Sequence, residues 1–358
     1  RLLHACGVHV MLKSTLTRVG AKDGHVVELE VASQDGLHRI QGAGVVDATG
    51  SGRVTELAGG QVEGPGSQET PQPMSLLFRM AGVSFEEFLR FVKENPAEFL
   101  LAENPVYGVT PPEAAQRVHD GGLPYAALSA GGALLGGAIA GGRVQPCTAF
   151  FITPTSRQRR EVCINATRIS SAGLLDARET SCLLLDLAEQ VHQSVAFLRA
   201  SVPGFSRACL SSVAHRIGVR ETKRIVGDES LTEGHVLNAV KSSEGVAKGA
   251  HHVDVHGSGT KQIRKPVHGG GTYDIPFGSL IPKGLRNVIA AGRCISSDRS
   301  ANGSLRLMGT CMATGQAAGT MASLLAESRA RNGDVRDLSV TRVREVLRQD
   351  GAILDGTQ

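Results

Sequence analysis

From Gly309 to Ser323 the chain reads GTCMATGQAAGTMAS, a run with helical spacing and almost no side-chain bulk. Gly315, Gly319 and Ser323 recur every four residues, and Ala318 and Ala322 border them on the same side. Glycine inside a helix costs about 1 kcal/mol relative to alanine, so the stripe predicts close approach by a strand or a ligand that offsets the penalty. Ordinary packing of a helix on a sheet accounts for it as well. The preceding residues narrow the choice of fold. Asn287 to Ala291 is apolar and reads as a buried strand, a polar loop containing Gly292, Arg293, Asn302 and Arg306 follows, and the helix is expected to start at Gly309-Thr310-Cys311-Met312. Strand, loop and helix make a β-α unit. The first turn of such a helix offers free N–H groups and partial positive charge, which suits an anionic or electron-rich oxygen.

A chain of 358 residues has room for two domains or for one large domain with an insertion. The net charge of +4 comes from scattered basic residues, and aromatics are only 4%, which argues against a nucleic-acid groove with stacking platforms. The seven cysteines have no C-x-x-C spacing, so neither a disulfide framework nor a zinc or iron–sulfur site is expected, and most of the thiols should be reduced and buried. No apolar run approaches the roughly 18 residues of a membrane span. His251, His252 and His256 lack thiolate or acidic companions at ligand spacing beyond Asp254, so no metal is expected.

Before residue 50 the pattern is β. GVHVML, STLTRVG, HVVELEVAS and LHRIQGAG are separated partly by AKDG and QDG, turn sequences at hairpin spacing, and predict a meander. It leads into GVVDATG, a buried strand ended by Gly50 and Gly52, and a short helix in GSGRVTELAGG. From about Gly64 the character changes. PQPMSLLFRMAGV reads as a strand, FEEFLRFVKENPAEFLL as a helix with Phe85, Phe88, Leu89 and Val92 on one face, and Arg178 to Arg199 as a second helix stopped by Pro203 and Gly204. The three Gly-Gly doublets of GGALLGGAIAGG (131–142) lack the Lys-Ser/Thr of a phosphate loop and predict a glycine-rich hairpin or cap loop. YDIPFGSLIPKGLRNVIAAG gives two short strands around a Pro-Lys-Gly turn, and SVTRVREVLRQDG a surface helix with Val340, Val343 and Val346 on one side.

Five stretches in order, VVDATGSG (45–52), RETKRIVGD (220–228), VDVHG (253–257), YDIPFGSLIP (273–282) and AAGRCISSDRSANGSLRLMGTCMATGQAAG (290–319), resemble the FAD-dependent oxidoreductase family. That family is related to flavoproteins of the fumarate reductase and glutathione reductase type and to the heterodisulfide reductase flavoprotein. QPMSLLFRM and INATRIS resemble its cap region, so the likeness covers nearly the whole chain. The resemblance implies an α/β fold, with an FAD-binding Rossmann-like domain of glutathione reductase type, incomplete at its N-terminus, and an inserted α+β cap or substrate domain. The implied boundaries are 1–63 for the partial FAD-binding domain, 64–265 for the cap, 266–326 for the C-terminal part of the FAD-binding domain and 327–358 for a helical tail.

The implied cofactor is FAD. By resemblance, Ala48, Thr49 and Gly50 approach its ADP half, Val10 meets the adenine through its backbone, and Gly292 and Arg293 lie by the ribityl and pyrophosphate. Thr310, Cys311 and Met312 would face the pyrimidine edge of the flavin, where a helix N-terminus stabilises the charge of the reduced ring. The ring and the central sheet would then both crowd the glycine stripe. Read without the family, Asp47 and Thr49 serve equally well to close a turn, Val10 to fill a core and Cys311 to pack as an inert thiol.

Members of the family open with a strand, G-x-G-x-x-G, a helix and an acidic residue about 20 positions on. No such unit occurs near the start of this sequence, so about 80–100 residues of the family pattern are expected to be absent, leaving a fragment that holds FAD poorly by itself. Substrate is expected over the flavin, within reach of Arg220, Glu221, His256 and Arg306. An arginine can hold a carboxylate bidentately, and a histidine of pKa about 6.5 can move a proton as hydride passes. An ion pair within RETKR that fixes the cap, and a purely structural His256, are the competing readings. The implied reaction is FAD-dependent hydride or electron transfer on an unidentified small-molecule substrate, with an unidentified electron donor or acceptor. The alternative is a non-catalytic binding or assembly protein that keeps the fold without flavin. Homo-oligomerisation stays open.

Overall fold

A computed structural model describes residues 1–65, 71–102, 108–171, 176–257, 259–328 and 333–355. In chain order the elements are α1 (Leu2–Ala5), β1 (Thr15–Lys22), β2 (His25–Ser33), β3 (Gly36–Ile40), β4 (Val45–Asp47), α2 (Arg53–Leu57), β5 (Val62–Glu63), β6 (Phe78–Ala81) and α3 (Phe85–Glu94). Next come α4 (Pro111–Asp120), β7 (Ala126–Ser129), α5 (Ala133–Ala140), β8 (Ala149–Ser156), β9 (Glu161–Asn165), α6 (Ala177–Ser201), β10 (Cys209–Val213), β11 (Arg224–Ile225) and α7 (Glu233–Leu237). The chain ends with β12 (Gly245–Gly249), β13 (Val253–His256), β14 (Gln262–Lys265), β15 (Tyr273–Pro276), β16 (Val288–Ala290), α8 (Arg299–Leu305), α9 (Met308–Glu327) and α10 (Val340–Gln349). This mixed α/β chain divides into two compact units, the first made of Arg1–Gly64, Thr222–Val253 and Lys265–Gln358, the second of Pro65–Glu221 and Asp254–Arg264.

In the first unit β1, β2 and β3 form an antiparallel meander. Asp23 and Gly24 both take positive φ, 51° and 75°, which makes the two-residue turn whose twist suits the flanking strands. A side chain at Gly24 would also strike the Gly284 carbonyl oxygen, 2.5 Å from the position of its β-carbon. Val19 and Val26 pack with Val54, Leu285 and Val288. Asn287, fully buried, ties the meander to β16: Oδ1 accepts from the Val26 amide at 2.8 Å, and Nδ2 donates to the carbonyls of Val26 and Ala43 at 2.9 and 3.2 Å. β16 pairs in parallel with β4, Ala290 opposite Asp47.

Two expectations for this unit need correction. GVHVML forms no strand; residues 8–12 are irregular and Val10 is 45% exposed, because no neighbouring strand pairs with the run and no core receives its apolar side chains. The glycine stripe of α9 is not pressed on a sheet either. A β-carbon at Gly315 or Gly319 would have nothing within 4 Å, and the buried row is instead Thr310, Thr314, Ala317, Ala318, Met321 and Leu325. In α10, Val340, Val343 and Val346 do share the inward side as expected, Val343 buried and the other two half-buried, and Leu347 joins them one turn after Val343.

The second unit holds an antiparallel five-stranded sheet in the order β10-β6-β9-β8-β7. Alternation sends Phe78, Met80, Leu128, Phe150, Ile152, Val162 and Ile164 to one face, where they share a core with Phe88 and Val92 of α3 and Leu187, Val191 and Phe197 of α6. Each such side chain stabilises the fold by about 1.5–3 kcal/mol through burial. The segment 131–142 is a correction of another kind, since α5 occupies the place of the expected loop. Burial of Leu135 and Ala138, and the Glu98 carboxylate accepting from the amides of Ala133 and Leu134 at 3.1 and 2.8 Å, offset the glycine penalty. The thiols also differ from expectation: Cys6, Cys182 and Cys209 are exposed, and only Cys147 and Cys294 are buried.

Candidate functional site

In the first unit a functional cluster grows from the end of β4. The buried carboxylate of Asp47 organises the turn, with Oδ1 accepting from the amide and hydroxyl of Thr49 at 3.2 and 2.6 Å, and Oδ2 from the amide and hydroxyl of Thr55, both at 3.0 Å. The Thr49 hydroxyl in turn accepts from the Arg53 amide at 3.0 Å. That side chain is therefore spent inside the loop, and only backbone at Ala48 to Gly50 is left to meet a ligand. Gly50 has φ 72°, and a β-carbon there would lie 2.7 Å from Cζ of Arg293. Only glycine lets that guanidinium settle on the turn.

Arg293 lies just after β16. Asn302 Nδ2 donates to its carbonyl at 2.8 Å, and the Gly292 amide before it donates to Thr314 Oγ1 at 3.0 Å. Its Nε is buried without a hydrogen-bond partner, and burial presses the guanidinium pKa below its ordinary value. The first turn of α9 follows close by in sequence. Leu307, its N-cap, gives no side-chain acceptor, whereas Ser84, Thr110, Asp176 and Ser339 cap α3, α4, α6 and α10. Thr310 is buried, Cys311 half-buried, and Met308 and Met312 are 82% and 74% exposed. Burial raises the Cys311 thiol, and Cys294 is pushed up to about 11, so neither is primed as a thiolate. Arg306 caps the C-terminus of α8, half-buried, its amide on the Asn302 carbonyl at 3.1 Å.

The second unit gathers a different set. His256, only 5% exposed at the end of β13, places Nε2 3.0 Å from Asp254 Oδ2 and Nδ1 3.4 Å from Arg168 Nη1. An arginine can only donate, so Nδ1 is the acceptor and the proton of the neutral ring sits on Nε2, shared with Asp254. Burial, the largest influence, lowers the His256 pKa from 6.5; Asp254 raises it, and Arg220 and Arg168 lower it again. The His256 amide donates to Gln72 Oε1 at 3.3 Å. Arg168 Nη2 donates to the carbonyls of Gly257 and Lys261 at 2.6 and 3.1 Å. Arg168, His256 and Arg220 line one cavity of about 20 Å³, room for about one water molecule.

Arg220 and Glu221 act on the segment before β6. Arg220 Nη1 donates to the Pro73 carbonyl and Ser75 Oγ at 2.5 and 2.8 Å, and Glu221 Oε2 accepts from the Gln72 amide at 2.9 Å. Within RETKR, Lys223 forms an ion pair with Glu56, inside the first unit. Sequence reasoning missed Arg168, whose partners His256, Gly257 and Lys261 lie 88 and more residues away. His251 Nδ1 contacts the His252 carbonyl oxygen at 2.7 Å, and among the described residues no group of three or more His, Cys, Asp or Glu is placed to hold a metal ion. No described helix is long and apolar enough to cross a membrane.

Residues 1–347 match the family described as FAD dependent oxidoreductase. The chain belongs to that family. Its cofactor is FAD, and its α/β fold is of the Rossmann-like, FAD-binding class. No curated protein matches this family member. Among solved structures it overlaps a geranylgeranyl bacteriochlorophyll reductase-like protein from Thermoplasma acidophilum at 10% identity and TM-score 0.39, covering 98% of this chain and 57% of that one. A flavin-dependent brominase triple mutant overlaps at 11% and 0.37, covering 97% and 57%, and a myxobacterial chondrochloren halogenase at 13% and 0.36, covering 97% and 52%. The family member thus spans little more than half the length of these structures.

The residues of the first unit suit FAD. A half-buried cation with an orphaned Nε and no ion pair among the described residues, resting on a glycine, invites a phosphate group, and an uncapped helix start invites an electron-rich oxygen.

Proposed function

We propose that the chain is part of an FAD-dependent oxidoreductase that transfers hydride or electrons to or from a small molecule, with the first unit holding the cofactor and the second handling the substrate. Bound FAD supplies the electron chemistry. Arg293, with the backbone of Ala48 to Gly50 and of Gly292, would hold the dinucleotide phosphates. The amides of Thr310, Cys311 and Met312 would face the pyrimidine edge of the flavin. Val10, irregular and exposed, would meet the adenine through backbone alone, and Arg306 would orient the substrate.

The observation that carries the substrate side is the Asp254–His256–Arg168 array. Burial and two arginines keep His256 neutral, Asp254 fixes its Nε2 proton, and Nδ1, which accepts from Arg168 Nη1 at 3.4 Å, is the basic atom of the ring. Nδ1 takes a proton from a substrate hydroxyl or amine as the neighbouring carbon is oxidised, and returns it in the reverse direction. Arg220 and Glu221 are positioning residues. They fix the segment from Gln72 to Ser75, and Gln72 holds the His256 backbone.

Stopped-flow reduction of the FAD-loaded protein tests the assignment. Arg306→Ala is expected to slow flavin reduction far more than it weakens FAD retention; unchanged rates would remove Arg306 from the site.

A further inference from the structure

The sheet of the second unit has one face in the core and one face turned away from it, and β8 serves both. Phe150 packs in the core on Phe197, ring centroids 5.7 Å apart, and Phe151, next along the strand, points to the other side. Ala127 of β7 stands opposite Phe151, and the same register, continued past the start of β7, sets Tyr125 opposite Thr153. Two small side chains and two aromatic ones therefore alternate at the corners of a frame. Residues 99–101 run along the outer edge of β7, with Phe99 bridged to Leu128 and the Leu100 amide donating to the Ala127 carbonyl at 2.8 Å. They bring Leu100 and Leu101 to one wall of a cavity of about 310 Å³, and α4 brings Val118 to another.

The lining fixes what this cavity can hold. It contains no charged side chain, so an ion entering it would lose water and gain no counter-charge. Every phenylalanine of the chain is buried or half-buried, whereas Tyr125, at the cavity, is 67% exposed. Diagonal neighbours across an antiparallel pair, as Tyr125 and Phe151 are, stand about 7–8 Å apart, which equals two carbon–carbon contacts of about 3.5–4 Å. One flat ring system fits between them. A dry cavity of about 150 Å³ is enough for benzene, so this one has room for two fused rings. The hydroxyls of Tyr125 and Thr153 have no partner among the described residues and are free to bond a ligand.

We infer that the cavity between β7, β8 and α4 binds an uncharged, flat molecule of two fused rings bearing a hydroxyl, its rings between Tyr125 and Phe151 and its hydroxyl on Thr153. The site goes beyond the proposed electron transfer, since no residue assigned to flavin or to proton transfer lines it. Each ring carbon that leaves water for the apolar walls adds to binding, stacking on the aromatic side chains adds to that, and the two hydroxyls satisfy each other.

The chain has no tryptophan, so the emission of 2-naphthol, a phenol that is neutral near pH 7, can be followed directly in a titration. 2-Naphthol is expected to bind more than about tenfold tighter than 2-naphthoate, which would bury a carboxylate without a partner. Tyr125→Ala, at an exposed residue, should weaken 2-naphthol about threefold to tenfold. Thr153→Val should weaken 2-naphthol by about the same factor and leave naphthalene, followed by its own emission, unchanged, which also shows that the variant is folded. Thr153→Trp fills the space between the rings and should weaken both ligands more than about tenfold. No saturable binding of 2-naphthol, equal binding of 2-naphthol and 2-naphthoate, or indifference of 2-naphthol to Tyr125→Ala and Thr153→Trp overturns the inference.

Discussion

Arg293 in the first unit and Arg168 in the second are both half-buried cations whose pKa values burial lowers, and the protein holds them in opposite ways. Arg168 is laced in place by Thr148, Gly257, Lys261 and the ring of His256. Arg293 rests against Gly50, and its buried Nε meets no acceptor. A cation already surrounded by acceptors tunes and orients what lies next to it, whereas a buried one lacking them is completed by an anion from outside. The same residue type therefore does two jobs, one turned toward the neighbouring histidine and one toward a phosphate.

Four measurements break or sharpen that contrast. The largest effect is expected from His256→Gln, which should slow substrate-dependent flavin reduction about 10²–10⁴-fold in stopped flow with FAD content unchanged. Arg293→Met should raise the Kd for FAD about tenfold to a hundredfold, while Arg168→Met leaves FAD content as it was; the reverse pattern would exchange the two roles. The pH profile comes next. With the His256 pKa held below 6.5, its basic form persists on the alkaline side and activity falls as acidification passes through the lowered value. Asp254 raises that pKa, so Asp254→Asn should move the acid limb of kcat/KM down by roughly one pH unit; an upward move would contradict the hydrogen bond to Nε2. The smallest effect has the opposite sign. Gly319→Ala, in a helix with nothing within 4 Å of the new methyl, should stabilise the protein by about 0.5–1 kcal/mol in thermal or urea unfolding.

What could be read from the sequence was local. The Asp23-Gly24 turn, the Phe88-Leu89-Val92 face of α3 and the start of α9 each depend on residues within a few positions of one another, and each is found. What could not be read depends on distant partners. α5 needs Glu98, 35 and 36 residues before the amides it caps, to outweigh two internal glycines. Arg168 looks like the polar end of a strand until Gly257 and Lys261 come round to it. GVHVML has strand alternation but no edge to join, and the glycine stripe of α9 shows a period without showing which way it faces. His256, Arg220 and Arg306 stood out because each lies in a motif segment, but the Asp254 contact that sets the tautomer of His256 is a fact of three dimensions.

Asn287 has a consequence for the ageing of the molecule. One carboxamide there substitutes for a missing rung of the ladder, so the Val26 amide should be among the slowest of the meander to exchange with deuterium. Deamidation to aspartate would turn the Nδ2 donor into an oxygen facing two carbonyls, and the seam that opens first would be the one between the meander and the parallel pair.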